Sequence, residues 1–548
     1  MDSMLMSIAV IVYLFAIGYL GYRGYRTTHG VTDYLVGGRQ THPYVMAMSY
    51  GATFISTSAI VGFGGVAALY GMGLMWLVFL NIFVGIFIAF VFFGLRTRRI
   101  GLRLDAHTFP ELLGRRFQSS FIQGAAGVII FLFMPMYASA VLMGAAKFLA
   151  EQIGVDYQVA LFVFSAIVAV YVIMGGLKGV MYTDALQATI MIVGMAVLLG
   201  MTYHVLGGVT SVHKELTAMA SQVPPKLLAE GHQGWTCMPK FGSVLWWKLV
   251  STIMMGVGIG VLAQPQLAVR YMTVKSAREL NRAVPIGAIF ILLTVGVAYA
   301  VGPLTNVYFM KALGKISIAA TAGDVEKIMP LYIKSALPGW FAVLFMLTLL
   351  SAAMSTLSGQ FHVMGTSLGR DLLERIFTLK KQSTAILITR VGVLIGILAA
   401  VYLGYQLEKQ FGKTGTEIVA RGTAIFFGLC ACAFLPMYVG ALWSRGMTKA
   451  SGIAGMLTGA FSSLLWMLFV HEKASTALLL CAKLFGTRSL AIHVENGAEV
   501  FSATGPIVWA FVDPIFIGLP LSILVTVVVS LVTPRLPKEH VEHCFSQA

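Results

Sequence analysis

Residues 52–65, ATFISTSAIVGFGG, set four hydroxyl side chains and three glycines in the middle of a stretch that is otherwise apolar enough to cross a bilayer. A spanning helix needs about 20 apolar residues and finds no water for its backbone, so small hydroxyl residues and glycines at mid-span mark unwound chain facing a cavity. A second stretch, LLSAAMSTLSGQFHVMG at 349–365, brings Ala352, Ser355 and Thr356 onto nearly one helix face, bare of large side chains. Free backbone carbonyls joined by Ser and Thr hydroxyls form the oxygen ligand set of a hard cation such as sodium, and they do so without a carboxylate. Taken alone, Ser355 and Thr356 also fit hydrogen bonds to the carbonyl one turn back, or contacts between helices, so the pair does not by itself define a site.

The elements that must position these residues are membrane helices. The chain of 548 residues is 58% hydrophobic and 11% charged, with mean hydropathy +0.84, which excludes a soluble globular class. Thirteen spans are predicted at 3–22, 43–70, 73–95, 121–149, 157–177, 181–207, 243–268, 284–307, 338–369, 384–405, 419–442, 450–470 and 511–533, numbered here helix 0 to helix 12. The fold class is an all-α polytopic membrane protein, with residues 1–548 forming a single transmembrane domain. Helix 0 is too long for a signal peptide, lacks a basic segment before it, and is followed by Arg23 and Arg26 rather than a cleavage site.

The net charge of +16 does not point to nucleic acid, because the basic residues gather in short loops between spans. Arg96, Arg98, Arg99, Arg103, Arg115 and Arg116 crowd the loop after helix 2 and place it in the cytoplasm, which puts the N-terminus outside and the C-terminus inside. An anionic-lipid patch fits the same placement. No asparagine opens an N-x-Ser/Thr acceptor, consistent with a bacterial inner membrane.

Helix 6 mirrors helix 1. Its segment MMGVGIGVLAQPQLAVRYM carries Gly256, Gly258 and Gly260, with Pro265 beyond them, a spacing that weakens a helix near its middle. Close helix packing is the other reading of those glycines. Two interrupted helices five apart are the pattern of an inverted repeat whose breaks meet near the membrane midplane. The expectation is a 5+5 inverted-repeat core with discontinuous helices 1 and 6: residues 43–207 as the first repeat, 243–442 as the second, 3–22 as an extra N-terminal helix, and 450–533 as C-terminal helices.

Few other side chains carry chemistry. Asp184 is an acid predicted within a span, and it fits a capping role, a pair with Lys178, or a functional carboxylate. Lys147, Lys248, Arg390 and Arg421 lie near span ends, where basic side chains reach the interface. His362 reads as a satisfied interior group. The five cysteines have no metal-ligand spacing; Cys237 and Cys481 both fall in outer loops and could pair, although two free thiols are the favoured expectation. Neither an enzyme, which needs convergent nucleophiles or metal ligands within the spans, nor a solute sensor, which needs a signalling domain, is the expectation.

Four stretches together resemble the sodium/solute symporter family over nearly the whole chain: DYLVGGRQ at 33–40, ATFISTSAIVGFGG at 52–65, GGLKGVMYTDALQ at 175–187 and AAMSTLSGQ at 352–360. The resemblance implies a leucine-transporter-type bundle and a sodium site on the backbone oxygens of Ala52, Ile55 and Ala352 and the hydroxyls of Ser355 and Thr356. It also matches Asp184 to a family aspartate on the ion's exit path. It places Thr53, Phe54, Ser56, Thr57, Val257, Val261, Gln264, Pro265 and Gln360 on the solute pocket.

Departures from the family pattern bear on the solute. Sodium/proline members carry a tryptophan and a tyrosine where this chain has Val257 and Val261, and an aspartate where it has Phe54. The resemblance therefore implies a multi-pass sodium-coupled importer, with Na+ as coupling ion and a small carboxylate-bearing solute, a monocarboxylate or pantothenate, ahead of an amino acid. Sugar transport fits poorly, because buried unpaired hydroxyls cost about 1–3 kcal/mol each and helix 6 offers few polar side chains to meet them. Proton coupling is the nearest rival to sodium.

Overall fold

The computed structural model describes residues 3–377, 382–411, 415–495 and 498–546. Among the described residues, eleven helices are long and apolar enough to cross a membrane, and a twelfth candidate is the bent pair Pro43–Phe54 and Ser58–Tyr70, whose halves differ in direction by 62°. One of the eleven, Tyr157–Leu206, runs for 50 residues. At about 1.5 Å per residue that is roughly twice the thickness of a bilayer core, so it holds two spans. They divide at Gly176, whose φ of 56° and ψ of −159° are open only to glycine and which lies against the Tyr34 ring and carbonyl. The predicted helices 4 and 5 are these two parts.

Helix 1 stops because its polar run offers alternatives to the helix ladder. The Ile55 N–H closes on the Gly51 carbonyl at 2.9 Å, and Ile55 itself turns extended at φ −94° and ψ 100°. Helix 6 runs from Val244 to Ala263, breaks at Gln264 with ψ 118°, and restarts on Pro265, which suits a first helical position because it has no N–H to leave unpaired. The break therefore sits at the Gln-Pro step. The three glycines upstream are helical and serve packing: a Cβ on Gly260 would stand 3.0 Å from the Phe427 carbonyl, and one on Gly258 3.0 Å from Leu80.

On the orientation predicted from the basic loops, the N-terminal half of helix 1 and the C-terminal half of helix 6 are the inner halves, and they are tied to each other. The Thr41 N–H donates to the Thr273 carbonyl at 3.0 Å, Thr41 bridges Val274 in parallel, and the Tyr271 hydroxyl donates to that of Tyr50 at 3.2 Å. The outer half of helix 1 has other anchors. Its Ala68 carbonyl accepts from the Trp235 indole at 2.8 Å and from the Asn306 amide at 2.8 Å, and Gly302 of helix 7 (Ala277–Leu313) lies against Gly64.

Outside the spans, two antiparallel strand pairs form, Ile492–Glu495 with Ala498–Phe501 and Ala503–Thr504 with Ile507–Val508. A short helix, Lys538–Phe545, packs its buried Val541, Cys544 and Phe545 against the arginine-rich loop after helix 2. There Arg116 stacks over the Phe545 ring and Arg103 donates to the Cys544 carbonyl at 3.1 Å. All five cysteines are free, Cys237 exposed and Cys481 buried.

Candidate functional site

The end of helix 1's inner half leaves the Ala52 carbonyl without a partner from its own ladder, and helix 8 (Gly339–Ile376) brings two hydroxyls to it. Ser355 Oγ lies 2.9 Å from that oxygen and Thr356 Oγ1 lies 3.4 Å from it. Ser355 Oγ is also 2.7 Å from the Ser351 carbonyl and 3.3 Å from that of Ala352. Ala52, Ile55, Ala352, Ser355 and Thr356 are all buried. Ser355 makes the one-turn-back bond that the sequence allowed, and both hydroxyls meet the broken helix. This donor set fits a sodium ion, since rotating the Ser355 proton toward the Ser351 carbonyl turns an oxygen lone pair toward the Ala52 oxygen's face.

One turn further inward lies a polar knot centred on Asp184. Its Oδ2 accepts from Ser49 Oγ at 2.7 Å and pairs with Arg270 Nη2 at 3.0 Å, while Oδ1 accepts from Ser358 Oγ at 3.0 Å. Thr53 Oγ1 stands 3.3 Å from Oδ2 and accepts from Arg270 Nη2 at 2.5 Å. The same guanidinium donates from Nε to Ser49 Oγ at 2.9 Å and from Nη1 to the Gln266 carbonyl. Both members of the ion pair are fully buried. Asp184 sits well inside its helix, so it caps nothing, and Lys178 pairs instead with Asp33 at 3.8 Å.

Arg270 escaped the sequence reading because helix 6 was ended at residue 268. Nothing in a single sequence links LAVRYM to YTDALQ, 86 positions away. Asp184 is also not the only acid in a span: helix 8 continues to Ile376 and carries Asp371, whose Oδ1 accepts from Thr108 Oγ1 at 2.7 Å and from Gln123 Nε2 at 2.9 Å. Beside it, Arg370 pairs with Glu111 at 3.1 Å. Burial pushes the Glu111 carboxyl up, but hydrogen bonds from His107 and the charges of Arg370 and Arg115 outweigh it and hold the group down at about 2.

The residues assigned to the solute pocket fall into two groups. Phe54 stacks on Phe427 with ring centroids 6.3 Å apart, and both Phe54 and Val261 approach Gly85 of helix 2. Tyr137 of helix 3 (Ser120–Ile153) packs edge-on against Phe427 at 5.8 Å and turns its hydroxyl toward Ser56 and Gln360. Ser56 and Ser58 share a hydrogen bond at 3.1 Å. Thr57 Oγ1 is buried without a hydrogen-bond partner, and the buried Gln360 amide lies beside the Tyr137 hydroxyl. By contrast, Gln264 donates to the Gly260 carbonyl at 3.2 Å and accepts from Gln266 at 3.1 Å, so with Pro265 it shapes the helix 6 break. Val257 is buried on helix 6 one turn before Val261.

Other expectations are corrected. His362 is buried, and with His107 it lines a small cavity. Lys147 and Lys248 do not simply reach for the interface but pair with Glu408 at 2.6 Å and Glu230 at 2.8 Å. Arg390 donates to the Met174 carbonyl at 3.3 Å. The side chain of Arg421 lies outside the described residues. Among the described residues no three His, Cys, Asp or Glu side chains cluster to hold a metal.

The family model described as the sodium:solute symporter family matches residues 34–459. The osmoregulated proline transporter OpuE of Bacillus subtilis is 26% identical over 470 residues, which cover 84% of this chain and 89% of that protein. A sodium/proline symporter of Staphylococcus aureus is 27% identical over 478 residues, covering 85% of this chain and 86% of its own. Among solved structures, a sodium-coupled sialic acid symporter in a substrate-bound outward-open state aligns with a TM-score of 0.74 at 16% identity, covering 97% of this chain and 98% of that one. At that identity the likeness is one of fold.

Proposed function

The chain belongs to the sodium:solute symporter family, whose fold is that of transporters rather than enzymes and whose coupling ion is sodium, and on that footing we propose that it imports a small carboxylate-bearing solute across the bacterial inner membrane. The observation that carries the ion site is the meeting of the Ala52 carbonyl with Ser355 Oγ and Thr356 Oγ1 at a helix break. Backbone oxygens of Ile55 and Ala352 complete the proposed cradle. On this reading an external sodium ion bridges helices 1 and 8 and favours the outward-open form. Solute then fills the space beside the break, and the inner halves of helices 1 and 6 swing together to release both cargoes inward.

Asp184 is proposed as the ion's next partner inward, which requires Arg270 to leave the carboxylate when the inner path opens. The solute reading rests on the unpartnered Thr57 hydroxyl and on the Gln360 amide beside Tyr137, polar groups set among the apolar side chains of Phe54, Phe427 and Val261. No acidic side chain stands among them to meet an ammonium group, which favours an organic acid such as a monocarboxylate or pantothenate. The proline transporters among its relatives supply the second reading, proline itself, which also bears a carboxylate.

The test is uptake into proteoliposomes under an imposed sodium gradient, with labelled monocarboxylates, pantothenate, proline and glucose. Sodium-driven accumulation of an organic acid is expected. Accumulation of proline alone would overturn the organic-acid reading, and accumulation driven equally by a proton gradient without sodium would overturn the ion site.

A further inference from the structure

We propose that Tyr13, on the N-terminal helix that lies outside the ten-helix core, is a positioning residue for the cation cradle. The inference rests on the sodium-site reading above and extends it to helix 0 (Ser3–Arg26). Tyr13 is 4% exposed, and its hydroxyl is saturated by three partners on two core helices. It accepts from Gln187 Nε2 at 3.2 Å and from Ser351 Oγ at 3.3 Å, and it donates to the Met354 sulfur at 3.4 Å.

Each partner adjoins the ion path. Gln187 lies one helical turn beyond Asp184. Ser351 lies one turn before Ser355, and its carbonyl takes the Ser355 hydroxyl proton at 2.7 Å. That carbonyl is the acceptor that leaves the Ser355 oxygen's lone pairs free for a cation. Met354 is fixed a second time, from its carbonyl, by the Tyr171 hydroxyl at 3.2 Å. The rear of helix 8 at residues 351–354 is thus held by two tyrosines while its front, at Ser355 and Thr356, faces the broken helix.

Helix 0 is registered tightly enough to transmit this. A Cβ on Gly24 would stand 2.3 Å from the Gly179 Cα, one on Gly21 would stand 2.7 Å from the Tyr171 Cβ, and one on Gly175 would stand 3.3 Å from the Gly21 carbonyl. Backbones in such contact cannot slide past one another without separating, so the Tyr13 hydroxyl has one height relative to helices 5 and 8. Removing it leaves the Gln187 and Ser351 donors facing the edge of a hydrocarbon ring.

Equilibrium binding of 22Na+ to the purified full-length protein tests the proposal without knowledge of the solute. Tyr13→Phe keeps the ring and its packing and removes only the hydroxyl. It is expected to raise half-saturating sodium by about threefold to tenfold with the number of sites unchanged, the effect of two buried donors that lose their acceptor and are only partly accommodated. Tyr19→Phe, on the exposed face of the same helix, is expected to match the unaltered protein. Ser351→Ala removes the other side of the contact and should shift half-saturation in the same direction, with the double variant no weaker than the weaker single.

Unchanged half-saturation in both single variants, or loss of sites with unchanged half-saturation, would overturn the proposal and leave Tyr13 a packing residue. If the unaltered protein binds no sodium, the failure lies with the cradle itself, and the two outcomes are told apart by that one control.

Discussion

Substituting Asp184→Asn, alone and with Arg270→Met, separates the strength of the inner ion pair from the packing around it. The asparagine keeps size and shape, but its amide no longer balances the Arg270 guanidinium, which is fully buried and anchored on helix 6. Removing one partner of a buried pair costs about 3–5 kcal/mol, chiefly from the charge left behind, whereas replacing both by apolar groups of similar volume is often neutral. Ser49 and Ser358 each lose a charge-assisted acceptor as well, which places the single variant at the upper end of that range.

A chain this long loses about 1–2 °C of thermal midpoint per kcal/mol, by extension from the shift seen in smaller domains. The expected drop is therefore about 5–10 °C for Asp184→Asn, with most of it recovered in the double variant. Thermal unfolding in nanodiscs, followed by the tryptophan signal and by retention of a monodisperse peak, measures both. Uptake is expected to remain impaired in the stabilised double variant, because the carboxylate on the proposed exit path is still absent. A single variant as stable as the unaltered protein, or a double variant no more stable than the single, would refute the view that the pair holds the inner side closed.

Other outcomes are set by the same geometry. Thr356→Ala removes a hydroxyl 3.4 Å from the Ala52 carbonyl and should raise the sodium concentration for half-maximal uptake at least tenfold, a difference of about 1.4 kcal/mol, while sparing uptake at saturating sodium; a defect equal at all sodium concentrations would assign it to packing. Gly302→Ala would put a methyl group 2.1 Å from the Gly64 carbonyl, so helix 7 must leave the outer half of helix 1, and a destabilisation of about 1–3 kcal/mol should appear as a lower thermal midpoint. His232, in the outer loop before helix 6, is held neutral: burial lowers its affinity for a proton, opposed only by the Leu69 carbonyl, and its Nδ1 accepts from the Gly234 N–H at 3.0 Å. The unfolded imidazole, with an ordinary value near 6.5, then binds protons more tightly than the folded one, so stability is full above about pH 6.5 and falls as external pH drops below it. A thermal midpoint flat from pH 7 to 5, or a slope unchanged in His232→Gln, would refute this.

What the sequence disclosed follows from what one residue can say about its own surroundings. Hydroxyls and glycines inside an apolar run contradict a buried continuous helix, so the helix 1 break was legible from ATFISTSAIVGFGG without any partner. The same logic misplaced the weakness in helix 6. Gly256, Gly258 and Gly260 also satisfy the demand for thin surfaces where Leu80 and Phe427 approach, and a sequence does not say which demand is being met; the break fell at Gln264–Pro265, where proline leaves no doubt. Pairings over long separations were not legible at all. Arg270 with Asp184, Tyr13 with Ser351, and Arg116 with Phe545 each join residues whose individual types allow many partners.

The arrangement of ties gives coupling a physical basis. Thr41, Tyr50 and Arg270 bind the inner halves of helices 1 and 6 into one body, whereas the outer half of helix 1 is fastened to helix 7 and to Trp235. The break at Ile55–Thr57 is the seam between these bodies, and the proposed cradle lies on the inner side of that seam, with Ala52 on one wall and helix 8 on the other. If the inner body swings away from helix 8, the Ala52 carbonyl parts from Ser355 and Thr356, and the ligand set no longer exists. A sodium ion bound there must favour the closed inner side by whatever free energy its ligation supplies, and release inward must follow, not precede, the separation. The Asp184–Arg270 pair ties the same inner body to helix 5 one turn below, and Ser358 of helix 8 donates to the other carboxylate oxygen, so ion and ion pair oppose inner opening together. Loss of the pair should therefore make inner opening easier and lower the fraction of molecules that hold the cradle, which predicts a smaller sodium-dependent gain in thermal midpoint for the double variant than for the unaltered protein at the same sodium concentration. An equal gain in the two would mean that the pair and the ion act on separate motions.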